Sequence, residues 1–200
     1  MRRTLAACGA LLFTLVFAAP SYAQIVNGGF ELPASPIGYQ LLGGGSTAIT
    51  GWVTTDNGVE WFSPTSFGYA APPNGQNIVD LACYTYSAGG IQQTFGTVPG
   101  QSYRIDFWLG THAASGRDGT ATIDVSADGQ TQSYSHSNFA GSIVWSPRTF
   151  TFVADDASAT LRFRCTQNAN LHFAYIDGVG ASQVVPARTT SWGRVKSMFR

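Results

Sequence analysis

The chain has 200 residues, with 11 Lys and Arg against 11 Asp and Glu, so its formal net charge is zero. Charged residues make up 11% of the chain and apolar residues 44%. These values exclude a nucleic-acid binder with a basic surface, which needs clustered Lys and Arg, and a charge-driven disordered chain. The sequence contains one Lys, two Glu and 23 Gly, which excludes coiled coils and helical bundles and indicates an all-β protein.

Residues 1–23 have the features of a secretory signal peptide. Two arginines precede an apolar run over residues 5–19, and Ser21 and Ala23 stand in the small-residue positions before a cleavage site at Gln24. The apolar run is shorter than the roughly 20 residues that a membrane-spanning helix needs. We therefore predict an exported protein whose mature chain has no transmembrane segment.

Residues 24–184 are predicted to form one domain. Apolar and polar residues alternate with a period of two, most clearly between Tyr103 and Leu109, and Gly or Pro turn signals stand between such segments. The pattern recurs at 78–81, 122–126, 148–153 and 160–165. Many short strands separated by turns indicate an antiparallel β-sandwich or barrel. Residues 185–200 lack the alternation and are predicted to form a basic tail, either frayed or as two turns of amphipathic helix.

Two cysteines remain in the mature chain, Cys83 and Cys165. In an oxidising compartment such a pair is expected to form a disulfide. The alternation around both residues directs their thiols into the core. If their strands were antiparallel neighbours, however, the two cysteines would lie at opposite ends of the pair, farther apart than the roughly 7 Å between Cα atoms that a disulfide permits. The sequence therefore leaves open whether they are bridged.

The alternation also places Arg104, Asp106 and Trp108 together on the face of their strand that points away from the core. An indole ring can stack on a pyranose while the charged pair binds hydroxyl groups. These three residues are therefore candidates for a carbohydrate-binding surface, which Arg162 and Arg164 would extend from a second strand. The alternative is a covered sheet face, in which the Trp packs under a loop and Arg–Asp pairs tie strands together.

No motif singles out a catalytic site. The three histidines, His112, His136 and His172, are scattered without a zinc-protease spacing, and the Gly-x-Ser-x-Gly motif of a nucleophile elbow does not occur. A glycosidase would need two carboxylates at a set separation, and the sequence singles out no such pair among its acids. We therefore predict a protein that is not an enzyme.

Seven segments follow one another in an order that resembles a known group of secreted proteins. They are NGGFE at 27–31, GW at 51–52, NGQNIVDL at 74–81, GIQQTF at 90–95, PGQSY at 99–103, TFTF at 149–152 and YIDGV at 175–179. The series resembles the bacterial choice-of-anchor C proteins and their relatives in the DUF642 group. The resemblance implies a galactose-binding-domain-like β-sandwich of jelly-roll type, outside the cell and associated with polysaccharides.

The resemblance also implies one structural Ca²⁺. In similar carbohydrate-binding modules a Glu near the start of the domain and an Asp in the last strand bind the ion together with backbone carbonyls. The matching positions here are Glu31 and Asp177, with Gly29 as a carbonyl donor. Calcium prefers such oxygen ligands, and residues 24–187 contain five basic against eleven acidic residues, a charge balance compatible with a cation site. The alternative is that both carboxylates only accept backbone N–H bonds at strand ends.

The sequence thus predicts a secreted, non-catalytic protein that binds a polysaccharide or a cell-envelope glycan, and no nucleic acid. Two other classes stay open. One is a structural or adhesive envelope protein without a glycan site, and the other is a glycan-acting hydrolase.

Overall fold

The structure is a computed structural model and describes residues 24–34, 39–82, 88–168 and 170–185. The predicted signal peptide and nearly all of the basic tail lie outside these residues. The described strands are β1 Tyr39–Leu42, β2 Val53–Asp56, β3 Val59–Phe62, β4 Ile78–Asp80, β5 Gly89–Gly96, β6 Ser102–Thr111, β7 Thr120–Ala127, β8 Gln130–Ser137, β9 Val144–Val153, β10 Ser158–Cys165 and β11 Tyr175–Gln183. A short 3₁₀ helix, Pro64–Phe67, follows β3. None of the helical segments within the described ranges is long and apolar enough to cross a membrane.

The strands form two sheets that pack face to face. The six-stranded sheet has the order β1-β3-β4-β11-β6-β9 and the five-stranded sheet the order β2-β5-β10-β7-β8. Every strand pair is antiparallel. Successive strands repeatedly change sheet, as in a jelly roll. The predicted all-β, antiparallel β-sandwich is therefore confirmed.

The core between the sheets follows from the period-two alternation. On β6, the side chains of Tyr103, Ile105, Phe107 and Leu109 are all at most 2% exposed. Phe107 packs edge-on against Phe163 of the opposite sheet, with 5.1 Å between ring centroids. Burying an aromatic or branched side chain contributes about 1.5–3 kcal/mol, so this inward face stabilises the sandwich.

The hairpin between β7 and β8 shows how local chemistry sets a connection. Asp128 and Gly129 both have positive φ values, 47° and 70°, which a two-residue turn of the hairpin type requires. An Asp-Gly pair is well suited to this conformation, as the sequence indicates. Strand β8 itself carries no apolar alternation, because Tyr134 is its one buried side chain.

A second, smaller apolar cluster lies on the outer face of the six-stranded sheet. It contains Phe62, Ile78, Ile143 and Tyr175. The connection between β3 and β4, residues 63–77, crosses this face. Its Ala70 N–H donates to Ser142 Oγ at 3.1 Å, and its Asn74 N–H donates to Asp177 Oδ2 at 2.7 Å. The outer face is therefore divided by this connection rather than open from edge to edge.

Candidate functional site

A cleft with a volume of about 420 Å³ opens on the outer face of the six-stranded sheet. Its walls come from β1, β3 and β11, from the beginning of the β3–β4 connection, and from the loops that precede β7 and β11. The lining residues are Tyr39, Glu60, Phe62, Phe67, Tyr69, Ser115, Arg117, Phe173 and Tyr175. Aromatic side chains predominate, and a cleft of this volume is in the range of small-ligand sites.

The aromatic rings of the cleft present both edges and faces. The ring of Phe67 stands nearly perpendicular to those of Tyr39 and Phe62, with centroid distances of 6.3 and 5.6 Å. Phe173 and Tyr175 lie almost parallel at 5.3 Å. Tyr39 is 51% exposed and Phe67 50%. These two rings are therefore open to a ligand, whereas the others form the floor and the inner wall.

Two carboxyl groups and a tyrosine lie side by side across three strands under the cleft. Glu60 pairs with Asp80, and Asp80 pairs with Tyr175. Asp80 is fully buried. Its Oδ1 accepts N–H bonds from Ala82 at 2.9 Å and Ala174 at 3.0 Å, while Oδ2 has no hydrogen-bond partner within the described residues. Burial, and next the charge of Glu60, raise the pKa of Asp80 to about 7.

Arg117 forms part of the opposite wall. Its guanidinium carbon lies 4.8 Å from the centroid of the Phe173 ring, a cation–π geometry. Its Nη1 donates to the carbonyl of Ser115 at 2.9 Å. Only 8% of the residue is exposed, so the charged group is held against the wall rather than projected into the cleft.

His112 lies behind the aromatic wall. Its ring stacks on Phe173 at 4.8 Å with an angle of 3° between the ring planes, and Tyr69 packs against it at 4.4 Å. Neither ring nitrogen has a hydrogen-bond partner in the described part of the chain. Burial lowers the pKa of His112 to about 4, because the charged form would lose its hydration. His112 is therefore neutral at physiological pH and acts as part of the stack.

The residues predicted as a sugar surface lie on the same sheet but outside the cleft. Arg104, Asp106 and Trp108 do share the outward face of β6. Arg104 Nε donates to Asp106 Oδ1 at 2.9 Å, and Thr149 Oγ1 donates to the same oxygen at 2.6 Å. Trp108 is half-buried and lies so close to Gly178 that an added side chain there would come within 3.0 Å of the indole. The polar groups thus tie strands together, and the β3–β4 connection separates them from the cleft.

Arg162 and Arg164 do not extend that surface. They lie on β10 of the five-stranded sheet, on the opposite side of the sandwich. Both form ion pairs with Asp56, at 2.7 and 3.3 Å. The predicted outward orientation is correct, but the predicted continuity with Trp108 is wrong, because alternation indicates the face of a strand and not the sheet to which it belongs.

The residues predicted to bind calcium meet at one loop. Glu31 Oε1 accepts the N–H groups of Gln76 and Asn77 at 2.7 and 2.8 Å, and Asp177 Oδ2 accepts that of Asn74. Burial, and to a smaller extent the charge of Glu31, raise the pKa of Asp177 to about 7. The two carboxylates therefore hold both ends of the segment 74–77.

Gly29 completes this arrangement. A side chain at Gly29 would lie 2.5 Å from Asn74 Oδ1, so Gly29 packs directly against the Asn74 amide, which would have to move to admit a larger residue. No group of three or more His, Cys, Asp or Glu side chains with metal-binding proximity occurs in the described ranges. A Ca²⁺ ion at Glu31 and Asp177 would therefore need backbone, amide or water oxygens, which calcium accepts.

Only one of the two cysteines of the mature chain lies within the described residues. Cys165 is buried, as the alternation predicted, and its Sγ lies 3.7 Å from the carbonyl oxygen of Gln167. Cys165 is a free cysteine in the structure, and Cys83 lies outside the described residues, so a bridge between them, which the sequence left open, stays open.

Sequence reasoning did not find the cleft, although some of its residues carry a signal. Glu60 is one of only two glutamates in the chain. Phe67 follows Thr65 and Ser66 and precedes Gly68, and an aromatic ring in such a polar segment is a candidate for a binding role. Their proximity depends on how three loops meet, and no local spacing encodes it.

Together these features define an antiparallel β-sandwich with an aromatic-lined cleft on the outer face of one sheet. The model of the family described as "Protein of unknown function (DUF642)" matches residues 23–179. The chain belongs to this family, as the seven segments predicted. Among curated proteins, no sequence matches the chain.

Several solved structures are similar in fold. An arabinose-bound α-L-arabinofuranosidase has a TM-score of 0.53 and 11% identity, with 81% of this chain and 26% of that chain covered. This chain thus spans about a quarter of that enzyme. The tandem CBM22 domain of Paenibacillus barcinonensis Xyn10C has a TM-score of 0.49 and 12% identity, covering 89% and 50%. A CBM61 module in complex with β-1,4-galactotriose has a TM-score of 0.45 and 15% identity, covering 80% and 99%. At these identities the similarity concerns the fold alone.

Proposed function

We propose that the protein is a secreted, non-catalytic carbohydrate-binding protein that holds a polysaccharide or cell-envelope glycan in its aromatic-lined cleft. The observation that supports this most directly is the pair of half-exposed rings at the cleft mouth, Tyr39 and Phe67. The apolar faces of pyranose rings stack on such side chains. Glu60 and Ser115 border the same cleft and provide polar atoms for sugar hydroxyls, the combination expected of a small-ligand site.

The geometry of the acidic groups supports a non-catalytic role. Glycoside hydrolysis requires two carboxyl groups that flank the scissile bond and both reach the substrate. Glu60 lines the cleft, but its neighbour Asp80 is fully buried beneath it and uses one oxygen to accept two backbone N–H groups. These two carboxyls therefore cannot flank a glycosidic bond.

A structural Ca²⁺ at Glu31 and Asp177, with the carbonyl of Gly29, is part of the proposal. The arrangement brings two mutually repelling carboxylates, Glu31 and Asp177, against the segment 74–77, and burial raises the pKa of Asp177 to about 7. A divalent cation there would neutralise both charges, so the donor set fits calcium. The ion would fasten the segment 74–77 to both ends of the domain and would have no part in sugar recognition.

The role of the cleft is tested by a glycan array with the purified protein and three variants. Phe67→Ala removes a ring at the mouth of the cleft, Trp108→Ala removes the indole on β6, and Phe139→Ala is the control, because Phe139 is 76% exposed and does not line the cleft. We expect binding that is lost in Phe67→Ala and kept in the other two. Loss only in Trp108→Ala would place binding on the β6 surface. No binding to any glycan would favour the structural or adhesive class.

Export is tested separately by mass spectrometry of protein recovered from the medium. Cleavage after Ala23 predicts a mature chain that begins at Gln24, recovered with this residue free or cyclised. Protein that stays in the cell with Met1 intact would contradict the proposed export, and an extracellular glycan could then not be its ligand. Association with the cell surface, which the choice-of-anchor C resemblance implies, predicts that part of this processed protein is recovered with the envelope.

A further inference from the structure

The aromatic rings of the cleft form a continuous series of contacts. Six of the nine lining residues within the described ranges are aromatic. The series begins on the edge strand β1 and ends on the loop before β11, with 5.3–6.3 Å between neighbouring ring centroids, and consists of Tyr39, Phe67, Phe62, Tyr175 and Phe173. The cleft therefore presents mainly ring carbon to a ligand, and apolar groups that replace water on such a surface are stabilised.

The corner between Tyr39 and Phe67 is the open part of this series. The planes of the two rings meet at 70°, with 6.3 Å between their centroids, and both side chains are half-exposed. On its other side Phe67 meets the ring of Phe62, which is 5% exposed. Two rings at a steep angle contact a small apolar group on two sides at once, whereas the flat face of a pyranose stacks on only one of them. The corner therefore fits a methyl group.

The charged side chains of the cleft already interact within the protein. Glu60 and Arg117 each have an interaction with other groups of the chain. The guanidinium carbon of Arg117 lies 4.8 Å from the centroid of the Phe173 ring, and its Nη1 donates to the carbonyl of Ser115. Glu60 and Arg117 carry opposite charges, and both act on the buried Asp80. The cleft as a whole therefore suits a neutral ligand better than a charged one.

We propose that the sugar bound in this cleft is a neutral 6-deoxyhexose, a unit of the fucose or rhamnose type, whose methyl group enters the corner between Tyr39 and Phe67. This inference rests on the proposed function and names its ligand class. The methyl group leaves water for contact with two rings, which is favourable. An ordinary hexose carries a hydroxyl at this position, and ring carbon offers no hydrogen bond in place of the water that this hydroxyl loses.

The same corner discriminates against acidic sugars. A hexuronic acid carries a carboxylate where the 6-deoxy sugar carries its methyl group, and an ionised group loses far more hydration than a hydroxyl. Arg117, a cation that lines the cleft, is 8% exposed and lies on Phe173 instead. Affinity should therefore fall in the order 6-deoxyhexose, hexose, hexuronic acid.

The test is an NMR titration with methyl glycosides that differ only at C6. One series contains D-fucose, D-galactose and D-galacturonic acid, and the other contains L-rhamnose and L-mannose. In at least one series we expect the 6-deoxy sugar to bind about tenfold more tightly than its hexose, which is the discrimination expected from one buried hydroxyl without a partner. The galacturonic acid glycoside should bind most weakly of its series.

Two variants of Tyr39 test whether this corner is responsible. Tyr39→Ala removes one of its two rings and should reduce the preference for the 6-deoxy sugar to about threefold or less. Tyr39→Phe keeps the ring and should keep the preference, as should Phe139→Ala, whose exposed ring does not line the cleft. An unchanged preference in folded Tyr39→Ala would overturn the assignment to this corner. The glycoside series in the wild-type protein keeps the inference testable if Tyr39→Ala fails to fold.

The outcomes separate this inference from the proposed function. Equal binding of 6-deoxy sugar and hexose in both series, or binding of array glycans without any response to a 6-deoxy glycoside, would overturn the inference and leave carbohydrate binding intact. Binding of no glycoside and of no array glycan would contradict both. Cyclohexanol that binds as tightly as the best glycoside would show an unselective apolar site and overturn the assignment to 6-deoxy sugars.

Discussion

Replacing Asp80 with asparagine should stabilise the protein at neutral pH. An asparagine has nearly the same shape, and its carbonyl oxygen can accept the two N–H groups that Asp80 Oδ1 now accepts from Ala82 and Ala174. Its NH₂ group would replace Oδ2, which has no hydrogen-bond partner in the described ranges. The substitution therefore keeps the favourable contacts and removes a buried negative charge next to Glu60.

The expected size follows from the pKa of Asp80, which is raised from 3.8 to about 7. The folded protein holds this proton more tightly than the unfolded chain, so the contribution of Asp80 to stability is complete below about pH 4 and is lost as the pH rises through 7. One pKa unit corresponds to about 1.4 kcal/mol. The free energy of unfolding should therefore fall by about 4 kcal/mol across this range because of Asp80.

His112 changes stability in the opposite direction over part of the same range. Its pKa is lowered from 6.5 to about 4, so the unfolded chain binds a proton that the folded protein excludes. Its contribution is present above about pH 6.5 and is lost as the pH falls towards 4. A single pH profile of the wild type would mix both effects, whereas the difference between wild type and Asp80→Asn cancels that of His112.

The measurement is urea-induced unfolding of wild type and Asp80→Asn at several pH values, with Asp106→Asn as the control. We expect Asp80→Asn to gain stability relative to wild type as the pH rises from about 4 to 8, by about 4 kcal/mol in total. Asp106 is half-exposed, and its replacement should give no such trend. Parallel profiles for wild type and Asp80→Asn would refute the reasoning, because Asp80 would then ionise equally easily in both states.

Three further experiments test other parts of the structure. His112→Phe keeps the aromatic stack and removes two nitrogens that have no hydrogen-bond partner among the described residues. It should raise the free energy of unfolding in a urea melt by about 1–3 kcal/mol, most strongly at acid pH, and a loss of stability would show that the imidazole has a polar role. Phe107→Ala should lower the free energy of unfolding by about 3–5 kcal/mol, because the ring is 2% exposed. Trp108→Ala should lower it less, because the indole is half-buried. Equal losses of stability for the two variants in thermal melts would contradict this prediction. If calcium binds Glu31 and Asp177, millimolar Ca²⁺ should stabilise the chelator-treated protein by about 2.7 kcal/mol at a hundredfold excess over Kd. Glu31→Gln should abolish this gain. A calorimetric unfolding transition that calcium leaves unchanged would contradict the proposed calcium site.

The sequence by itself determined the class of fold and the inward face of its strands. Alternation between Tyr103 and Leu109 placed four side chains in the core, and the Asp128–Gly129 pair determined a hairpin turn. Such features are local, because the period of a strand and the φ values of a turn depend on neighbouring residues only. Strand β8 could not be predicted in this way, because Tyr134 is its one buried side chain and the other residues show no apolar alternation.

Only the tertiary structure decided which side chains meet. Arg162 points outward as alternation requires, yet it lies on the opposite sheet from Trp108, because a period of two assigns a face and not a neighbour. The cleft brings Tyr39 of an edge strand together with Arg117 and Phe173 of two distant loops. These contacts depend on the order in which the strands pair and on how the loops cross the sheet. Those choices are set by the packing of the whole sandwich, so no stretch of the sequence contains them.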